Sequence, residues 1–287
     1  MNSGSSGAKD SSSAQHVVSN IYPIVEATMP RTARNWAYKQ FFTPLKIKFR
    51  KEEVAFLKTS KSSFFDFNTH KIALYEWGEG PTVIMQHGWS GKGVQFIKMI
   101  EALSSNGFHV VAFDAPSHGN STGEMTSAFE FIEVIKVLDK MFGPVHTYIG
   151  HSMGGLVLLN VLASGVQLKN IILLNAPSKS TPVMDSFLGI LGGSQKTGQF
   201  IRDYVQRKYR RSFDSLFSPR IEASLTKNIL VIHDEKDRQV TFDNIEKTKK
   251  LLPQAAFHFT EGLGHTRILY DKNVVDVVLK NVCSHNQ

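Results

Sequence analysis

The chain has 287 residues, 41% of them apolar, a formal net charge of +8 and one cysteine, Cys283. That length and apolar content suit one large α/β domain with a real core. A single cysteine excludes an internal disulfide and a cysteine-based metal site, and no run approaches the roughly 20 apolar residues of a membrane span. The positive charge shows two clusters, Arg31–Lys51 and Arg202–Arg211, read as solvated faces. No zinc-finger, RNA-binding or basic-zipper pattern accompanies them, so no nucleic-acid partner is expected.

Met1–Ser13 is Ser/Gly-rich, with neither a basic region nor an apolar one that would mark a secretion signal. Residues 1–20 are expected to be a disordered tail, 21–287 to be a single domain, and cytoplasm to be the default location. Arg34–Phe42 reads as a short amphipathic lead-in whose Trp36, Phe41 and Phe42 are expected to pack on the domain edge rather than enter a membrane. Strand-like runs follow at Ala55–Thr59, Ser63–Phe67 and Lys71–Trp77, as an antiparallel edge to a larger sheet. From residue 82 apolar strands alternate with helices. Strands are predicted at Thr82–Gln86, Val110–Phe113, Val145–Ile149, Asn170–Leu174, Ile229–His233 and Ala256–Phe259. Helices are predicted at Val94–Ser104, Ala128–Phe142, Leu156–Ala163, Asn244–Leu252 and Asn273–Val282. Continuous β-branched strands separated by helices indicate an α/β fold with a mostly parallel central sheet buried on both faces. The rhythm breaks at about 177–218, a Gly-, Ser- and Arg-rich stretch predicted to form a short helical cap insertion.

Ligands of open parallel sheets bind beyond the carboxyl ends of the strands, so reactive residues just after strands carry the functional reading. Gly150-His151-Ser152-Met153-Gly154-Gly155 lies between a predicted strand and a predicted helix. A Gly-x-Ser-x-Gly in that setting forces a tight, strained turn that exposes the serine oxygen at the start of a helix, where free N–H groups favour an oxyanion. Ser152 is therefore the candidate nucleophile, and it needs a base and an orienting acid. Asp237 follows the strand at Ile229–His233 and His265 follows the one at Ala256–Phe259. Asp234 is a competing acid, but it stands at the strand end, and Asp237 a few residues beyond is preferred. His87-Gly88-Trp89 follows Thr82–Gln86, which makes the Trp89 and Met153 backbone N–H groups the candidate oxyanion hole. Asp114, after Val110–Phe113, is read as a brace for neighbouring loops.

From about residue 45 onward the chain resembles the α/β-hydrolase-fold serine hydrolases, and carboxylesterases in particular. The resemblance rests on His87-Gly88-Trp89, the Asp114–Ser121 loop, the Ser152 turn, His233–Val240 and Gly264-His265. It implies a cofactor-free enzyme, with no metal expected, whose Ser152–His265–Asp237 triad acts most often on small-molecule esters; the apolar Phe187–Leu191 of the insertion suggests an acyl pocket of modest size, so short acyl chains are expected. Thioester hydrolysis, acyl transfer or perhydrolysis and carbon–carbon bond hydrolysis reuse the same triad, and a non-catalytic binding protein of this fold is a further alternative. Serine at the turn argues against dehalogenases and epoxide hydrolases, which place a carboxylate there. His118 departs from the small residue usual in the Asp114 loop.

Overall fold

The computed structural model describes residues 6–178, 181–221, 226 and 228–285. In chain order the helices are α1 (Ser6–Thr28), α2 (Pro30–Phe42) and α3 (Lys51–Leu57), followed by strands β1 (Lys61–Phe67), β2 (His70–Trp77) and β3 (Thr82–Gln86). Then come α4 (Ile97–Ser104), β4 (His109–Phe113), α5 (Ala128–Phe142), β5 (Thr147–His151), α6 (Met153–Ala163) and β6 (Asn170–Leu174). Helices α7 (Thr181–Leu191) and α8 (Gln195–Tyr209) precede β7 (Asn228–Asp234), α9 (Asn244–Leu251), β8 (Ala256–Thr260), α10 (Gly264–Arg267) and α11 (Lys272–Ser284).

Eight strands form one sheet in the order β1-β2-β4-β3-β5-β6-β7-β8. The first two pairings are antiparallel and all the others parallel. Every residue of β3, β5 and β6 is buried, as expected where helices cover both faces of a parallel sheet. One layer joins α4 and α11 to the sheet through Met99, Ile100, Leu103, Val274, Val278 and Val282. Helices α5 and α6 pack on each other, with Phe131, Ile135 and Leu138 of α5 fully buried. The parallel order matters for function because it brings the loops after β3 to β8 to one edge.

Residues 51–57 correct the sequence reading. The run at Ala55–Thr59 is expected as a strand, but helix α3 ends at Leu57 and a turn follows. Glu53 explains the change: its carboxylate accepts the Arg50 N–H at 2.7 Å, capping the first turn, and pairs with Lys92 at 2.5 Å. Both partners of that ion pair are buried. A distant lysine thus rewards a helix that local apolar alternation argues against.

The chain divides into two compact units. The larger, Pro44–Ser178 with Leu216–Gln287, holds the sheet; the smaller is Met1–Thr43 with Lys179–Ser215. The insertion is helical, as expected, although Lys179 and Ser180 lie outside the described residues. Its partners within the smaller unit are the N-terminal helices, where a disordered tail and a lead-in are expected. Residues 1–5 lie outside the described residues, and from Ser6 the tail is α1. Tyr22, Ala33, Ala37 and Leu191 make a small core, flanked by Val18, Val25 and Phe187. Glu26 accepts the Ser194 N–H at 2.9 Å and the hydroxyls of Ser194 and Thr197, so it caps the start of α8. Of the three aromatics expected to pack, Phe41 meets Phe187 and Phe213 edge-on and Phe42 is buried, whereas Trp36 stays 40% exposed beside the Tyr22 ring. The spacing of Val18, Tyr22 and Val25 is helical, but their partner lies more than 160 residues away in sequence. Local composition cannot show it.

Candidate active site

Ser152 stands alone between the last residue of β5 and the first of α6, with φ 53° and ψ −126°. This left-handed backbone is unfavourable for a residue with a side chain, and a packed surround must hold it. The surround is tight. A Cβ at Gly150 would lie 2.7 Å from the Gly154 backbone, and one at Gly154 would lie 2.2 Å from the Gln86 carbonyl oxygen. The Ser152 N–H is tied to the Leu174 carbonyl at 2.9 Å. Ser152 and Met153 nevertheless remain partly exposed.

The structure joins the other two predicted triad residues. His265 Nδ1 meets Asp237 Oδ2 at 2.7 Å, and the Asp237 side chain is fully buried. Burial alone would raise the Asp237 pKa. The bond to His265 and the amides of Val240 and Gln239, at 3.0 and 2.8 Å, outweigh it and hold the carboxyl below the usual range. Asp234 does something else. Its two oxygens accept the N–H groups of Lys236, Leu263 and Gly264 and the Thr260 hydroxyl, all at 2.8–3.0 Å. It braces the turn that delivers His265, and its pKa is lowered, those four donors overcoming burial.

Sequence reasoning assigns no role to His151, Gln95 or Asn175, yet all three bear on the histidine loop. His151 Nε2–H donates to the His265 carbonyl at 2.8 Å, and the two rings lie 4.8 Å apart. Its Nδ1 accepts from the Gln95 amide at 3.3 Å. Burial and the neighbouring His265 push the His151 pKa down to about 3, so the ring is neutral and its tautomer is set by these two partners. Asn175, itself at φ 47°, donates to the carbonyls of Gly264 and His265 at 3.1 and 3.4 Å. Its side-chain oxygen accepts the Asp234 N–H at 2.9 Å. An asparagine directly after the predicted strand Asn170–Leu174, at the sheet edge where the other site residues follow strands, is the one signal that the sequence offered for it.

The loop after β3 lies against the serine. A Cβ at Gly88 would sit 2.9 Å from the Ser152 Cβ and 3.4 Å from its Oγ, which puts the Gly88–Trp89 peptide beside the nucleophile candidate. Among the described residues no hydrogen bond occupies the Trp89 N–H. The Met153 N–H opens α6, where first-turn amides have no intrahelical partner. Two histidines hold this loop. His87 Nε2 accepts the Ala115 N–H at 2.9 Å, leaving Nδ1–H to donate to the Gly88 carbonyl at 2.6 Å. His118 accepts the Ser90 N–H at 2.9 Å and donates to the Pro116 carbonyl at 2.9 Å. That explains the departure at His118: it pins the residue next to Trp89, which is itself at φ 57°. Burial drives the His118 pKa down to about 4 and that of His87 well below the ordinary value, so both rings are neutral. The half-buried Trp89 ring packs on His118 and Phe131. Asp114 is a brace, accepting from the Gly93 and Asn120 amides and the Tyr75 hydroxyl at 2.7–2.8 Å.

Among the described residues no cluster of His, Cys, Asp or Glu could hold a metal ion. Residues 81–207 match the family model of the alpha/beta hydrolase fold. The chain is 33% identical over 121 residues to an Acinetobacter baylyi protein named (E)-2-((N-methylformamido)methylene)succinate hydrolase, covering 40% of this chain and 44% of the relative. It is 27% identical over 197 residues to Phospholipase YtpA of Bacillus subtilis, covering 55% of this chain and 76% of that protein. The chain spans less than half the length of several curated relatives it matches. In structure it is similar to an esterase from Exiguobacterium antarcticum, with TM-score 0.60 and 18% identity over 77% of this chain and 99% of the other. Sequence model, sheet order and structural likeness agree that this chain has the α/β-hydrolase fold.

Proposed function

We propose that the chain is a serine hydrolase that cleaves carboxylic esters of small or short-chain acyl groups through an acyl-enzyme. The observation that carries this reading is Ser152 held at φ 53° one residue after His151, whose ring bonds the backbone of the His265 that pairs with Asp237 at 2.7 Å. In the reaction His265 takes the Ser152 proton as the serine oxygen attacks the ester carbonyl, and it returns that proton to the leaving alcohol. Asp237 holds the ring so that Nδ1–H points at the carboxylate and Nε2 is free to act as base, and it stabilises the imidazolium as it forms. The Trp89 and Met153 amides stabilise the oxyanion, each worth on the order of a hundredfold in rate. Water then attacks the acyl-enzyme with His265 again as base. An esterase among the structural neighbours and hydrolases among the relatives support the class.

The test is labelling by a fluorophosphonate followed by turnover of p-nitrophenyl esters of increasing acyl length. The wild type should label and prefer short chains, and Ser152→Ala should lose labelling and at least about 10⁴-fold in kcat. Equal labelling of Ser152→Ala, or none of the wild type, would overturn the reading. Best turnover on long chains would replace the short-acyl assignment with a lipase-like one.

A further inference from the structure

The smaller unit is unlike the rest of the chain in charge and in what it exposes. It carries eleven lysines and arginines against five aspartates and glutamates, a net +6 of the chain's +8. Arg31, Lys39, Lys196, Arg207 and Arg210 are exposed. Helix α1 also turns two apolar faces outward from its axis. Val18, Tyr22 and Val25 go to the small core. Val17, Ile21 and Ile24 form the adjacent stripe at i, i+4 and i+7, and they stay 55%, 52% and 65% exposed, with Met29 at the end of the helix 56% exposed. Three half-exposed β-branched residues in one row leave in water apolar area that an apolar surface would cover favourably. No other helix among the described residues exposes three large aliphatic residues in such a row.

We propose that the smaller unit docks peripherally on an anionic lipid surface, the α1 stripe entering the headgroup boundary while the net positive charge of the unit draws it to negative charge. Charge complementarity selects this occupant. An aliphatic stripe gains nothing from a nucleic acid, whose phosphates reward basic groups alone and whose unpaired bases reward stacking aromatics. A second copy of this chain would have to bring one +6 unit against another. A lipid surface rewards both features at once, as for interfacial amphipathic helices and basic segments generally. The docking is shallow: no helix among the described residues is long and apolar enough to cross a membrane. The proposal does not depend on the catalytic reading.

The experiment is flotation of the full chain with vesicles of phosphatidylglycerol and, separately, of phosphatidylcholine, at low and at 0.5 M salt. The expected result is binding to the anionic vesicles alone, weakened by salt as screening shortens the reach of the charges. The double variant Ile21→Ser/Ile24→Ser should bind at least about tenfold more weakly, as loss of two inserted side chains requires. Its thermal melt and its rate on a soluble ester should match wild type, since neither residue belongs to the small core or to the serine site. Val17→Ser, a milder change in the same row, should weaken binding with the same salt dependence. No binding to phosphatidylglycerol vesicles, or equal binding by wild type and double variant, would overturn the proposal. So would a wild-type dimer that the double variant converts to monomer without vesicle binding, or binding to duplex DNA in place of vesicles.

Discussion

At the scale of the residue, two aspartates three positions apart do different work because their donors differ. Asp234 is saturated by three backbone amides and a hydroxyl, whereas Asp237 keeps one oxygen for His265 Nδ1. Asp237→Asn should leave folding intact and lower kcat on an ester by roughly 10⁴-fold, because an amide no longer enforces the productive ring tautomer. Asp234→Asn turns an acceptor of backbone N–H groups into a partial donor and should appear chiefly as a lower melting temperature. Kinetics and melts of the two variants check the division of roles. A larger rate loss in Asp234→Asn would reverse it. The preference for Asp237 was legible in the sequence as a matter of distance from the strand end. The parts played by His151 and Asn175 were not, because a histidine or an asparagine within a motif says nothing of which carbonyl it will face.

At the scale of the element, α3 and the loop after β3 are tied by a buried charge pair. Lys92 Nζ lies 2.5 Å from Glu53 and 3.0 Å from the Lys48 carbonyl, and its ammonium sits 4.5 Å over the Phe49 ring. Burial would raise the Glu53 pKa, but Lys92 and Arg50 bring it below the usual range. Removing one partner leaves an uncompensated buried charge, so Lys92→Met should cost about 3 kcal/mol in urea unfolding. Pairing it with Glu53→Leu should recover much of that cost. A double variant no more stable than Lys92→Met would show that the pair itself is not what holds α3. This pair also explains the one strand predicted where a helix stands. The run Ala55–Thr59 is read locally as a strand, and the partner that decides for a helix over residues 51–57 lies 39 residues beyond Glu53.

At the scale of the whole molecule, buried histidines make stability depend on acid. His118 and His151 have folded pKa values near 4 and 3, lowered mainly by burial, against about 6.5 unfolded. The unfolded chain therefore binds protons that the folded chain refuses. Stability contributed by these two rings is present above about pH 6.5 and is lost as pH falls from there towards 4 and 3. At pH 5 the two together should cost about 4 kcal/mol. The lowered carboxyls of Asp234, Asp237 and Glu53 act with the same sign at lower pH, since they hold off protons that the unfolded chain takes up. Denaturant midpoints should be level between pH 8 and 7 and fall steadily below 6.5, and a level curve down to pH 5 would contradict the neutral, buried state of both rings. What the sequence determined by itself is whatever rests on short-range pattern: the alternation of buried strands and helices, the strained serine turn with its glycines, and the order Ser152, Asp237, His265 along the chain. The tertiary structure decided what depends on partners far apart in sequence. It made a helical unit of the expected tail by giving Tyr22 and Glu26 the insertion to pack and cap, set α3 by a buried lysine, and turned His118, His151 and Asn175 into supports for the loops on which the site stands. Hydrogen-bond direction and burial are properties of neighbours in space, and a sequence orders neighbours only along the chain.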